Sequence, residues 1–123
     1  MKKNNNSTNS GQSRTGFHAQ DVALDMVRSL PGILRTLQQH DRSLADQVRR
    51  AATSVPLNVA EGARRTGKDR LHHYRVAAGS ADEVRVGLHV GLALGYLSPS
   101  DVQNSLSLLD RELAMLWRLT HRR

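Results

Sequence analysis

At 123 residues the chain has room for one domain and none for a separate catalytic module beside it. It contains no cysteine, which excludes disulfides, thiolate chemistry and cysteine-based zinc sites. The formal net charge is +7, and it is unevenly spread: the window Arg49 to Arg75 carries seven basic side chains against Glu61 and Asp69. Positive charge gathered in this way attracts a polyanion by releasing its counterions, whereas an even spread would serve only solubility.

Residues 1–16 are Lys, Asn, Ser, Thr, Gln, Gly and Arg with hardly an apolar side chain. They cannot bury enough surface to offset the entropy of ordering them, so a disordered basic and polar tail is expected here, ahead of a folded domain at 17–123. Met1-Lys2-Lys3 opens like a secretion signal, but no apolar core follows. The best candidate for a membrane span, Val84 to Leu97, is interrupted by Arg85 and His89. A cytoplasmic protein without membrane contact is the expectation.

Val22, Met26, Leu30, Ile33, Leu34 and Leu37 form a helical stripe, with Pro31-Gly32 inside it as a kink or a break. After a break at His40-Asp41, Leu44, Val48, Ala51, Ala52, Val55 and Val59 define a second helix that stops at Gly62 and bends at Pro56. The third segment, Lys68 to Gly95, is ambiguous. Val84, Val86, Leu88, Val90, Leu92 and Leu94 alternate as a strand would, but Gly87, Gly91 and Gly95 recur every fourth residue. Three glycines would weaken a strand, and on a helix they make one small-residue stripe for close packing. A helix here is apolar on more than one side, which implies a subunit interface. Ser98-Pro99-Ser100-Asp101 then caps a last helix with apolar positions at Val102, Leu106, Leu109, Leu113, Leu116 and Thr120. The expected fold is all-α, an up-and-down antiparallel four-helix bundle.

Few residues suggest chemistry. Arg50, Ser54, Asn58 and Glu61 share one face of the second helix, and Glu83 is the expected cross-helix mate of Arg50. A hydrogen-bonded network that fixes helix register is a better reading than a catalytic pocket, because nothing resembles an activated nucleophile. His72 and His73 diverge on a helix and extend the basic surface, and His89 reads as a packing residue. No metal site and no cofactor is expected. Arg35 and His40 are spaced as in the helical HEPN ribonucleases, which makes a nuclease the remotest alternative. Trp117 and Tyr74 read as core residues, and four aromatics in all are too few for stacking to dominate binding. Phosphate contact by Arg49, Arg64, Arg65, Lys68, Arg70 and Arg75 is the expected binding mode, strongly salt-dependent and nearly blind to sequence.

The run from Leu44 to Gly62 carries Leu44, Gln47, Arg50 and Ala51, then Ser54, Pro56, Asn58, Ala60, Glu61 and Gly62. Downstream stand Ala78-Gly79-Ser80 with Glu83, and Leu94-Gly95-Tyr96-Leu97. This combination resembles the bacterial four-helix-bundle family encoded in intervening sequences of large-subunit ribosomal RNA genes, over about Ala19 to Thr120. Pro31-Gly32 and the polar tail depart from that pattern. The resemblance implies helix rather than strand for the third segment. Relatives of the family include the accessory variability determinant of diversity-generating retroelements, which implies a pentamer with a basic surface that binds a reverse transcriptase and its RNA. The expectation is therefore a non-enzymatic homo-oligomer that binds RNA or DNA, as an accessory to a reverse transcriptase or another nucleic-acid enzyme. The alternative is a structural or protein-interaction module with no nucleic-acid role.

Overall fold

The computed structural model describes residues 13–121, and these are all-helical apart from turns and short connections. Five helices follow in chain order: α1 His18–Arg28, α2 Pro31–His40, α3 Arg42–Ala63, α4 Gly67–Ala93 and α5 Pro99–His121. No described helix is long and apolar enough to cross a membrane.

The fifth helix comes from Pro31, which breaks the first predicted helix rather than kinking it. Proline has no N–H to give the helix before it, and it suits the first position of the helix after it. Ser29 and Leu30 bridge the break in near-helical conformation. The Ser29 hydroxyl donates to the Met26 carbonyl and also meets the Ser105 hydroxyl of α5 at 2.7 Å.

The α3/α4 pair is the most extensive packing in the molecule. Gly62 meets Tyr74 and Gly87 meets Val48, and Ser54 bonds Ser80 at 2.8 Å, so the two helices run antiparallel. The third segment is thus one continuous helix, as the glycine spacing predicts. The glycines do not form a single stripe, however. A Cβ at Gly87 would stand 2.6 Å from Val48, and one at Gly91 would stand 2.7 Å from Leu97 and 3.2 Å from Leu37. Gly95 lies beyond the helix with φ +78, where a residue with a side chain is strained.

Asp41 starts α3 by accepting from the Leu44 N–H at 3.0 Å, and the helix continues through Pro56. Ser98 and Asp101 cap α5 reciprocally, each side chain accepting from the other's backbone N–H. The buried stripe of α5 is Val102, Ser105, Leu109, Glu112 and Leu116. It is turned from the predicted one, so that Leu106 and Leu113 lie only half-buried and Trp117 faces outward.

Of the tail expected at 1–16, the first twelve positions lie outside the described residues. Ser13, Arg14 and Thr15 fold against the first turn of α1, where Asp21 accepts the Ser13 hydroxyl and the Arg14 and Thr15 N–H groups. Burial pushes the Asp21 carboxyl up, but these bonds outweigh it and hold the group below its usual range. Asp21→Ala should cost about 1–2 kcal/mol at neutral pH. In the parent that contribution should fade as pH falls below the ordinary carboxylate range. Denaturant melts of both proteins at pH 7 and pH 3 measure it, with the gap closing at the lower pH.

Candidate nucleic-acid interface

The short turn Arg64–Thr66 joins α3 to α4 and carries two arginines, with Lys68 following in the first turn of α4. Gly67, at φ +58, starts α4 in the left-handed region that a side chain would resist. Glu61 stands one turn before and binds both arginines, Arg64 at 2.7 Å and Arg65 at 2.7 Å. Arg65 reaches forward as well, to Asp69 at 2.7 Å. The hydrogen bonds from Arg65 hold the Glu61 and Asp69 carboxyls below their usual range, and the charges of Arg64 and His73 add to this at Glu61.

The six basic residues singled out in the sequence do not act alike. Arg64, Arg65 and Lys68 are exposed at the turn. Arg70 turns inward instead: its Nε donates to the Gly62 carbonyl at 3.1 Å and its NH2 to the Ala63 carbonyl at 3.1 Å. A guanidinium satisfying the last carbonyls of α3 is a helix cap, and its fork is already occupied. Arg49 lies well up α3 from the turn and pairs with Asp46 at 3.3 Å. Arg75 is exposed on α4, in the turn after Arg70.

The polar face of α3 is also redistributed. Ser54, Asn58 and Ser80 form a chain, with the Asn58 amide donating to the Ser54 carbonyl at 3.0 Å and to its hydroxyl at 3.1 Å. His73 extends it, its Nδ1 lying 3.1 Å from the Asn58 Oδ1. His73 was expected on the basic surface, and only His72 is exposed there. Arg50 and Glu83 are both exposed and form no ion pair with each other, while Glu61 serves the turn. Their spacing placed them on one face, but the long side chains reach water at less cost than a buried pair would incur.

The opposite flank of this end holds a second feature. Tyr74 is buried against Gly62 and lies 6.3 Å from the Phe17 ring, so the start of α1 sits at the same end as the α3–α4 turn. The last turn of α5 is there too, for Phe17, His18 and Ala19 line one groove with Trp117, Arg118 and His121. Trp117 is 60% exposed, against the expectation of a core residue. His89 is exposed rather than packed. Arg35 and His40 are exposed on α2, with the His40 ring stacked on Tyr96 at 4.8 Å. No cluster among the described residues could hold a metal ion.

One buried group gave no signal in the sequence reading. Glu112 is 0% exposed, and neither carboxyl oxygen has a hydrogen-bond partner. Burial pushes its carboxyl up to about 8, and the charge of Arg111 opposes this without reversing it.

A solved structure shares this architecture. It is a protein of unknown function from the S23 ribosomal protein family of Bacteroides thetaiotaomicron, 15% identical, with a TM-score of 0.77 over 85% of this chain and 99% of that one. No curated protein matches the chain. The family model for the 23S rRNA-intervening sequence protein matches residues 18–118, which takes in all of α1 to α4 and most of α5. The chain therefore belongs to the 23S rRNA-intervening sequence protein family.

Proposed function

We propose that this chain is a non-enzymatic, homo-oligomeric helical protein that binds RNA or DNA through the basic surface around the α3–α4 turn. The observation that carries the reading is the exposure of Arg64 and Arg65 on the turn and of Lys68 at the start of α4, together at one end of the molecule. Their ion pairs with Glu61 and Asp69 do not argue against it. Exposed pairs of this kind are worth little in water, and a phosphate can replace a carboxylate on an arginine fork at small cost. The family's name, taken from an interruption in ribosomal RNA, supports a nucleic-acid setting without defining the ligand. Resemblance to the accessory variability determinant extends the reading to a pentamer that assists a reverse transcriptase.

Oligomer formation has separate support. Val86 and Val90 are exposed on α4 and Leu94 just past its end, and the two valines line a groove of about 360 Å³ with Leu44, Gln47, Gly79, Asp82 and Glu83. Nothing lies within 4 Å of a Cβ built on Gly79, so a second copy can approach the backbone there. Apolar side chains in a row beside an open glycine suit a packed helix more than a solvated one.

The test is binding to structured RNA and to duplex DNA across a salt series, with mass measured by light scattering. Affinity should fall steeply with salt. Arg64→Glu with Arg65→Glu should weaken binding about tenfold or more and lower the salt slope by about 2, leaving the mass unchanged. An oligomer indifferent to both polymers at low salt would overturn the nucleic-acid reading and leave an interaction module. RNA should remain uncleaved throughout; cleavage abolished by His40→Ala would restore the nuclease alternative.

A further inference from the structure

We propose that the groove between the start of α1 and the last turn of α5 is a stacking subsite for an unpaired nucleobase, with Trp117 as its platform. This inference rests on the nucleic-acid reading above and names how one part of the ligand is held.

The groove has a volume of about 540 Å³ and is lined by Phe17, His18, Met115, Trp117, Arg118 and His121, among others. Most of the Trp117 side chain is open to solvent, although indole is the most costly ring to leave in water. The ring nevertheless has one stacked neighbour. His121 stacks on it with centroids 4.3 Å apart and planes 11° from parallel. The imidazole is held in turn, its Nδ1 lying 2.9 Å from the Trp117 carbonyl oxygen and 3.1 Å from the Thr120 hydroxyl. One face of the indole is thus covered by His121, while the residue as a whole stays 60% exposed. A rigid, half-covered aromatic ring loses little entropy when a flat partner lands on it.

Charge selects the partner. Among the described residues, every ionisable side chain lining the groove is basic or a histidine. An apolar peptide would bury the ring but leave these cations without counter-charge. A nucleotide satisfies both, with its base on the indole and its phosphate near Arg118. Through the Phe17–Tyr74 contact the groove shares its end of the molecule with Arg64, Arg65 and Lys68, so one strand can engage the turn and the ring together.

Stacking needs a base free of its partner, which duplexes do not offer. The subsite therefore adds single-strand preference to a surface that otherwise reads only charge.

Trp117 is the sole tryptophan in the chain, so its emission reports on the groove directly. The full chain is titrated with a fluorescein-labelled single-stranded oligouridylate, the same length with abasic sites, and an RNA duplex, following both anisotropy and tryptophan emission. The single strand should bind and quench, and the abasic strand should bind without quenching. Trp117→Ala should weaken single-strand binding roughly 5- to 100-fold with duplex binding unchanged, while Trp117→Phe keeps most of the affinity. His121→Ala, which removes only the support, should fall between them. Single-strand binding with unaltered emission, and equal affinity in Trp117→Ala, would overturn the subsite while the nucleic-acid reading stands. Loss of all binding in the unaltered chain would overturn both. Quenching by an amphipathic peptide but by none of the RNAs would make the groove a protein site and overturn the proposal.

Discussion

Glu112→Leu should stabilise the fold by on the order of 3 kcal/mol at pH 7, an unusual direction for a change at a fully buried position. The wild-type carboxyl has no partner and titrates at about 8, against an ordinary value of 4.5. At neutral pH the unfolded chain ionises this group and the folded chain does not. That difference favours unfolding by about 1.4 kcal/mol for every pH unit between the two values. The stability contribution is whole below the ordinary carboxylate range and is lost as pH rises towards 8. Beyond that both states are charged and the loss levels off. Leucine has a similar size, fills the same space between Leu109 and Leu116, and has no proton to lose. Glu112→Gln separates the two causes: it should remove the pH dependence while leaving a buried amide without partners. Urea melts of the three proteins from pH 4 to pH 9 decide the matter. A parent stability that is flat across this range would sink the account.

Gly62 should tolerate almost nothing. A Cβ there would stand 2.6 Å from Cε1 and 2.7 Å from Cδ1 of Tyr74, with the Arg70 carbonyl oxygen at 3.3 Å. The ring has no room to withdraw, because it is 4% exposed and has Phe17 beside it. Movement of the α4 backbone would pull Arg70 from the two carbonyls it caps. Gly62→Ala should cost about 1–3 kcal/mol, even though alanine is the better helix former by about 1 kcal/mol. Gly62→Val should cost more and lower the melting temperature by at least about 5 °C. The control is Gly32→Ala, at an exposed helical glycine whose nearest neighbour is the far end of the Arg35 side chain at 3.9 Å, which should raise stability. Thermal melts that rank these three variants otherwise would show that the hairpin end is looser than its geometry.

These two residues also mark where sequence reading succeeds and fails. Gly62 reads as the stop of its helix, but α3 runs on to Ala63, and the main task of Gly62 is to admit Tyr74, twelve residues on and across the turn. Only the pairing of α3 with α4 makes that contact visible. On α5 the apolar period read well enough to place the helix and its cap. It could not show that the inward line passes through Ser105 and Glu112, because an isolated glutamate carries no mark of being buried. The same rotation takes Trp117 out to the solvent. Glycines read as one stripe answer to different needs, two of them making room for leucine and valine and one turning the chain. Long basic side chains were the least legible. Arg64 and Arg70 are equivalent in composition, yet one is open to solvent and the other closes a helix.

Joining α1 to α5 through Ser29 and Ser105 closes a loop of 76 residues, whereas the Ser54–Ser80 contact closes one of 26. The longer closure costs about 1 kcal/mol more in chain entropy. The α3–α4 hairpin, which also has the most extensive packing, is therefore favoured to form first and to serve as a template for the rest. The seam between α1 and α5 assembles late and, by the same reasoning, opens early. The indole of Trp117 sits at the end of that seam. The place best suited to receive a flexible strand is thus also where the molecule can most readily yield to one.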